Sequence, residues 1–149
     1  MPGVVTENEV KEFLNNRLNI QLATVDENGY PNIQPLWFYY DSESEKLYIA
    51  TRNSSKKIQN LKRNPDKIYF SIDDENFPYK GVKGGGNVSI SEDIEKNVKI
   101  IEKIILKYLN SLEHPLGKSI MEAANNGTEV VVEVSPRFFS AWDFSKAGA

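Results

Sequence analysis

Apolar and polar residues change their spacing several times along the chain, and each change marks an element. Val10, Phe13 and Leu14 recur at helical spacing behind Thr6-Glu7-Asn8-Glu9. The Thr-x-x-Glu form is a capping box, in which hydroxyl and carboxylate each satisfy an orphan amide, so a short helix is predicted from about Glu7 to Asn16. The period then drops to two. Ile20, Leu22 and Thr24 alternate with Gln21, Ala23 and Val25, and Asp26-Glu27-Asn28-Gly29 turns the chain. Asn-Gly favours the positive φ angles of tight hairpins. A second strand is predicted through Ile33, Leu36, Phe38 and Tyr40, and after the polar turn 41–45 a third from Lys46 to Ala50. Together they read as a three-stranded antiparallel meander.

Ser55 to Asn64 reads as a helix with Ile58 and Leu61 on its apolar side. It ends at Asn64-Pro65 because a residue before proline resists the α conformation. Ile68 to Ile72 is a fourth strand, residues 73–80 a loop, and Val82 to Ile90 a fifth strand weakened by Gly84-Gly85-Gly86, read as a bulge or bend. Ile94, Val98, Ile101, Ile105 and Leu109 trace one face of a long helix, and Glu95, Lys96, Lys99, Glu102 and Lys103 charge its other side. That is core packing, not a membrane span. A shorter helix fits Leu116 to Ala124, and two strands, Glu129 to Val134 and Phe138 to Trp142, flank Ser135-Pro136. The pattern is α+β: six to seven antiparallel strands in a closed or split barrel, with peripheral helices.

Composition narrows the function classes. The 149 residues fit one domain. A formal net charge of −3 disfavours a general nucleic-acid binder. No apolar run approaches membrane-spanning length, and the N-terminus lacks the basic-then-apolar pattern of a secretory leader, so a cytoplasmic protein without membrane partners is expected. The absence of cysteine removes disulfides, thiolate nucleophiles and cysteine-ligated zinc. The one histidine, His114, precedes Pro115 at a predicted helix start and is expected to cap it or lie at the surface. No metal site is expected. The acidic runs around Glu43 and Asp73 read as solvated loops.

The one dense positive cluster runs from Arg52 to Arg63 and opens with Thr51-Arg52-Asn53-Ser54-Ser55-Lys56-Lys57, between a strand end and a helix start. The leading amides of a helix have no internal partner, and its dipole puts partial positive charge at the same point. Thr51, Ser54 and Ser55 add hydroxyls, Arg52 a planar fork, and Lys56 and Lys57 point charges. Lysines in a first turn oppose the dipole, which an anion would compensate. Spacing alone leaves this segment open between a phosphate site and a serine-capped helix with solvated lysines.

Residues 22–65 carry a wider pattern. A hairpin Ala23-Thr24-x-x-x-x-Gly29-x-Pro31 is followed by a strand, then by Thr51-x-x-x-Ser55-Lys56-Lys57 and Asn64-Pro65. This resembles the pyridoxamine 5′-phosphate oxidase-like family of flavin-binding proteins. The resemblance implies an α+β, six- to seven-stranded antiparallel split β-barrel with peripheral helices, one FMN-binding domain over residues 1–149. It implies that Thr51, Ser55, Lys56 and Lys57 hold the FMN phosphate with Arg52 close by. It also implies that Gln34, Pro35, Leu36 and Trp37 line the flavin ring, that Trp142 lies near the flavin, and that the partner is a second copy, with flavin in a homodimer interface. Ordinary packing is the competing reading for the aromatic residues, foremost Phe38 and Tyr40.

The chain departs from the full oxidases. Gln34 stands where the family more often has a basic residue, and Gly81 where the full enzymes place a flavin-contacting glutamine. Residues 143–149 supply no arginine or histidine for a substrate phosphate. Vitamin B6 oxidation is therefore not expected. The expectation is an FMN-dependent oxidoreductase of a different small substrate. The alternatives are a flavin-binding or carrier module without turnover, a deazaflavin-dependent reductase and, disfavoured by the single histidine, a haem-handling member.

Overall fold

The computed structural model describes residues 5–146; residues 1–4 and 147–149, parts of the terminal stretches discussed above, lie outside the described residues. The elements run α1 (Glu7–Phe13), β1 (Ile20–Val25), β2 (Pro31–Leu36), β3 (Tyr39–Asp41), β4 (Lys46–Arg52), α2 (Lys56–Arg63), β5 (Ile68–Asp74), β6 (Lys80–Ser91), α3 (Ile94–Leu109), α4 (Pro115–Asn126) and β7 (Glu129–Asp143). The strands form one seven-stranded sheet in the order β2-β1-β5-β6-β7-β4-β3, antiparallel at every pairing. The sheet curls into the expected α+β split barrel.

Local signals survive where their chemistry is local. Thr6 and Glu9 form the capping box of α1, which stops at Phe13, three residues short of the expected end. Gly29 takes φ 83° in the hairpin between β1 and β2. His114 caps α4, its Nδ1 accepting from the Leu116 amide at 3.0 Å.

The expected meander is corrected. The second strand breaks at Trp37-Phe38, and its halves pair with opposite edges of the sheet: β2 with β1, β3 with β4. Inward alternation continues through the break, from half-buried Leu36 to buried Phe38 and Tyr40. The hydrogen-bond partner changes while the side-chain pattern does not.

Two residues of α3 hold this crossover. The Tyr108 hydroxyl donates to the Leu18 carbonyl at 2.6 Å and accepts from the Phe38 amide at 3.2 Å, while its ring stacks on Trp37 at 4.8 Å and 3°. Lys107 Nζ donates to the Phe38 carbonyl at 3.0 Å and sits 3.6 Å above the Phe38 ring centroid. Burial pushes the Lys107 ammonium down to about 8 and the Tyr108 phenol up to about 12.

The C-terminal half holds a second correction. The two expected strands are one, β7, paired along its length with the twelve-residue β6. The glycine run does not interrupt β6. A Cβ on Gly84 would lie 2.3 Å from the Phe138 carbonyl oxygen, and one on Gly86 2.2 Å from that of Ser135. The glycines admit the facing backbone, and the register shifts between Gly85 and Gly86, where Arg137 is the extra residue of a bulge.

The barrel interior is apolar, with Leu22, Phe38, Leu47, Ile49, Phe70, Ile72, Val82 and Val132 all almost fully buried. A second layer forms outside, where Ile101, Ile105 and Ala124 of α3 and α4 pack on Val131, with Tyr48 and Ala50 beside them. Among the described residues no helix is long and apolar enough to cross a membrane.

Replacing Tyr108 with Phe removes the partner of the Phe38 amide and the Leu18 carbonyl together; we expect a loss of about 1–3 kcal/mol in urea unfolding. An unchanged midpoint would show that the crossover does not depend on this hydroxyl. Gly81→Ala puts a Cβ 2.1 Å from Trp142 Cζ2. The expected result is a displaced indole, read as a changed near-ultraviolet dichroism signal, and a loss of about 1–3 kcal/mol.

Candidate functional site

The site is built where β4 runs into α2. Leu47, Ile49 and Thr51 point into the barrel and are buried, whereas Tyr48, Ala50 and Arg52 lie on the outer face. The chain leaves β4 through a turn closed by the Ser55 amide donating to the Arg52 carbonyl at 3.1 Å, and the Asn53 amide ties it to β7 through Thr128 O at 2.9 Å. Ser55 then takes the N-cap conformation of α2 but makes no side-chain capping bond. Its hydroxyl instead accepts from Thr51 Oγ1 at 3.4 Å, and Thr51 Oγ1 accepts from Lys57 Nζ at 2.8 Å. Thr51, Ser55 and Lys57 thus form one chain of polar groups beside the open amides of α2. Asn60 fixes the helix from below, its Nδ2 donating to Thr24 Oγ1 at 3.0 Å.

The basic residues divide. Lys57 is half-buried, and among the described residues the Thr51 hydroxyl is its one hydrogen-bond partner and no ion pair reaches it. Burial pushes its pKa down, with Glu129 pulling the other way. Lys56 points outward and pairs with Glu27 of the β1–β2 turn. Arg52 lies on the outer face opposite Glu129, its register partner on β7. Directly opposed residues of an antiparallel pair share a face with Cβ atoms about 4.5–5.5 Å apart. Burial pushes the Glu129 carboxyl up, while Arg52 and Lys57 draw it down.

Glu129 went unremarked in the sequence because it reads as the polar first residue of an apolar strand. Its pairing with Arg52 is a matter of register. With Trp37, Ala50, Ile101, Ile105 and Ile120 it lines a cavity of about 130 Å³ on the outer face.

The ring-lining candidates are placed less closely. Gln34 and Pro35 lie exposed on the edge strand β2, in register with Leu22 and Gln21; Leu36 is half-buried opposite Ile20. No side-chain hydrogen bond links them to the Thr51–Lys57 turn among the described residues. Trp37 approaches the site through the Glu129 cavity. Trp142 does not: it lies against Gly81, twelve residues along β7 from Val130, the register partner of Thr51. That is about 40 Å of strand path. It lines a separate groove of about 480 Å³ between α1 and the loop before β6, with Phe13, Asp74 and Phe77.

Comparison with known proteins fits this architecture. The pyridoxamine 5′-phosphate oxidase family model matches residues 6–143. The heme oxygenase HutZ of Vibrio cholerae is 35% identical over 69 residues, which are 46% of this chain and 38% of that protein, so the chain matches well under half of that relative's length. A conserved hypothetical protein of Mycobacterium tuberculosis superposes with a TM-score of 0.83 at 24% identity, covering 98% of this chain and 89% of that one. A structure titled F420 reductase superposes with a TM-score of 0.67 at 27% identity, covering 87% and 94%. The strand order, the β4–α2 turn and the match across nearly the whole chain together make it a member of the pyridoxamine 5′-phosphate oxidase family.

Proposed function

We propose that this protein is an FMN-binding oxidoreductase acting on a small substrate, with the flavin phosphate held by Thr51, Ser55, Lys57 and the leading amides of α2. The observation that carries the reading is Lys57. A half-buried ammonium whose hydrogen-bond partner among the described residues is a neutral hydroxyl is costly, and this one sits beside uncapped helix amides that also seek an acceptor. A phosphate satisfies both. Lys56 and Arg52 add long-range attraction from either side. The bound flavin supplies the redox chemistry, while the protein binds and orients it.

A composite site accounts for the distance to Trp142. Ile33, Ala23, Tyr69, Gly85 and Phe138 are consecutive register partners across β2, β1, β5, β6 and β7. Ile33, Tyr69 and Phe138 are 63%, 58% and 43% exposed, an apolar row that the described residues leave open. Trp142 lies on the same face of β7 four residues beyond Phe138. We infer that a second copy covers this row, bringing Trp142 of the partner subunit toward the flavin held at Thr51–Lys57.

A second reading, a deazaflavin-dependent reductase, is supported by the likeness to the F420 reductase structure. The absorbance spectrum of the released cofactor separates the two.

In an absorbance titration FMN should bind at micromolar concentration or tighter. Lys57→Ala should weaken it roughly 10- to 100-fold, as expected for one charge-assisted phosphate contact of about 1.5–3 kcal/mol. Lys56→Ala should cost less than about threefold, because Lys56 is exposed and already paired. Equal effects of the two would place the phosphate elsewhere, and no FMN binding to the wild type would end the flavin reading. Tyr69→Glu, at the centre of the apolar row, should convert dimer to monomer in light scattering and reduce FMN affinity with it. A dimer that survives this charge would rule out that face.

A further inference from the structure

Deepening the reading above, and resting on it for the identity of the ligand, we propose that Glu129 is the resident counter-charge of the phosphate cradle, set beside Arg52 by the register without an ion-pair contact, and that an incoming phosphate competes with it for the cradle's cations. The register sets Glu129 directly beside Arg52, on the same face at the end of β4. Thr128, its neighbour, is bonded through its carbonyl to the Asn53 amide of the cradle turn. Glu129 draws the Lys57 pKa up and Lys57 draws that of Glu129 down, each favouring the other's charged form. The cradle therefore carries two cations, Arg52 and Lys57, in the field of one carboxylate that makes an ion pair with neither among the described residues.

The other walls around Glu129 cannot share that duty. Trp37 from the crossover, Ala50 from β4, Ile101, Ile104 and Ile105 from α3 and Ile120 from α4 line its cavity and bring no ionisable group. The titratable groups that face it are Arg52 and Lys57. When a phosphate takes over these cations, Glu129 is left beside a new anion and against an apolar wall. Both changes favour its neutral form. Binding of phosphate is then linked to proton uptake at Glu129.

The sign follows. A group whose pKa rises on binding takes up a proton in the window between its free and bound values, so affinity falls as pH rises through that window. The phosphate and Lys57 also titrate, but they do so in wild type and variant alike. The difference between the two proteins isolates Glu129.

The test uses two probes, inorganic phosphate followed by the amide NMR shifts of Ser55 to Lys57, and FMN followed by absorbance, from about pH 5.5 to 8.5. Glu129→Gln should bind both roughly three- to tenfold more tightly at the upper end of the range, as removal of one nearby like charge predicts. The ratio of variant to wild-type affinity should widen as pH rises, because only wild type loses the proton taken up at Glu129. Glu129→Ala, checked for folding by its thermal midpoint, should move in the same direction. Affinities equal to or weaker than wild type across the range overturn the assignment, as does the absence of phosphate shifts at Ser55–Lys57 in every protein. Phosphate binding with the expected Glu129 dependence but no FMN binding would instead remove the flavin reading and leave the counter-charge in place.

Discussion

The fold depends on a short piece of chain. β2 and β3 occupy opposite ends of the strand order, yet Trp37 and Phe38 alone separate them. Seven strands laid flat at about 4.8 Å spacing would put the two edges about 29 Å apart. Three residue steps reach at most about 11 Å. The sheet has to curl until its first and last strands nearly meet. The bulge in β7 and the glycines facing it, which let β6 and β7 approach closely, give the curl somewhere to concentrate.

That closure also arranges the site. Phe38 is drawn into the barrel and Trp37 left outside, flat against Tyr108, so that the aromatic ring comes to the wall that Ala50 and Glu129 share. Lys107 and Tyr108 hold the crossover through backbone groups that the strand break leaves without ladder partners. Pairing with β7 on one side of β4 then sorts the polar residues of its end: Thr51 inward toward Ser55 and Lys57, Arg52 outward toward Glu129. A run that is contiguous in sequence is thereby divided between the two faces of one strand.

Much of this was legible beforehand, and the part that was not has a common character. The capping box at Thr6, the hairpin at Gly29, the cap at His114 and the strand-to-helix turn after Thr51 all depend on groups a few residues apart, and each is present. The break at Trp37-Phe38 left no trace in the pattern, since Leu36, Phe38 and Tyr40 continue the alternation of a single strand. The glycines of β6 read as a bulge or bend, and the register does shift between Gly85 and Gly86, but the carbonyls of Ser135 and Phe138 that require them lie some fifty residues away. The pairing of Glu129 with Arg52 was invisible for the same reason.

The sequence by itself determined most of the elements, the family pattern and the strand-to-helix turn after Thr51, because backbone dihedral preference, capping and the placement of hydroxyl and cationic groups at a helix start act within a few residues. Tertiary structure alone decided which strand edges meet, which lysine of the pair turns inward, that Glu129 lies opposite Arg52, and that Trp142 stands at the far end of β7 from Thr51. Those outcomes rest on register and closure. Both are set by the burial of a shared core and the limited reach of the chain, and neither leaves a local mark on the residues concerned.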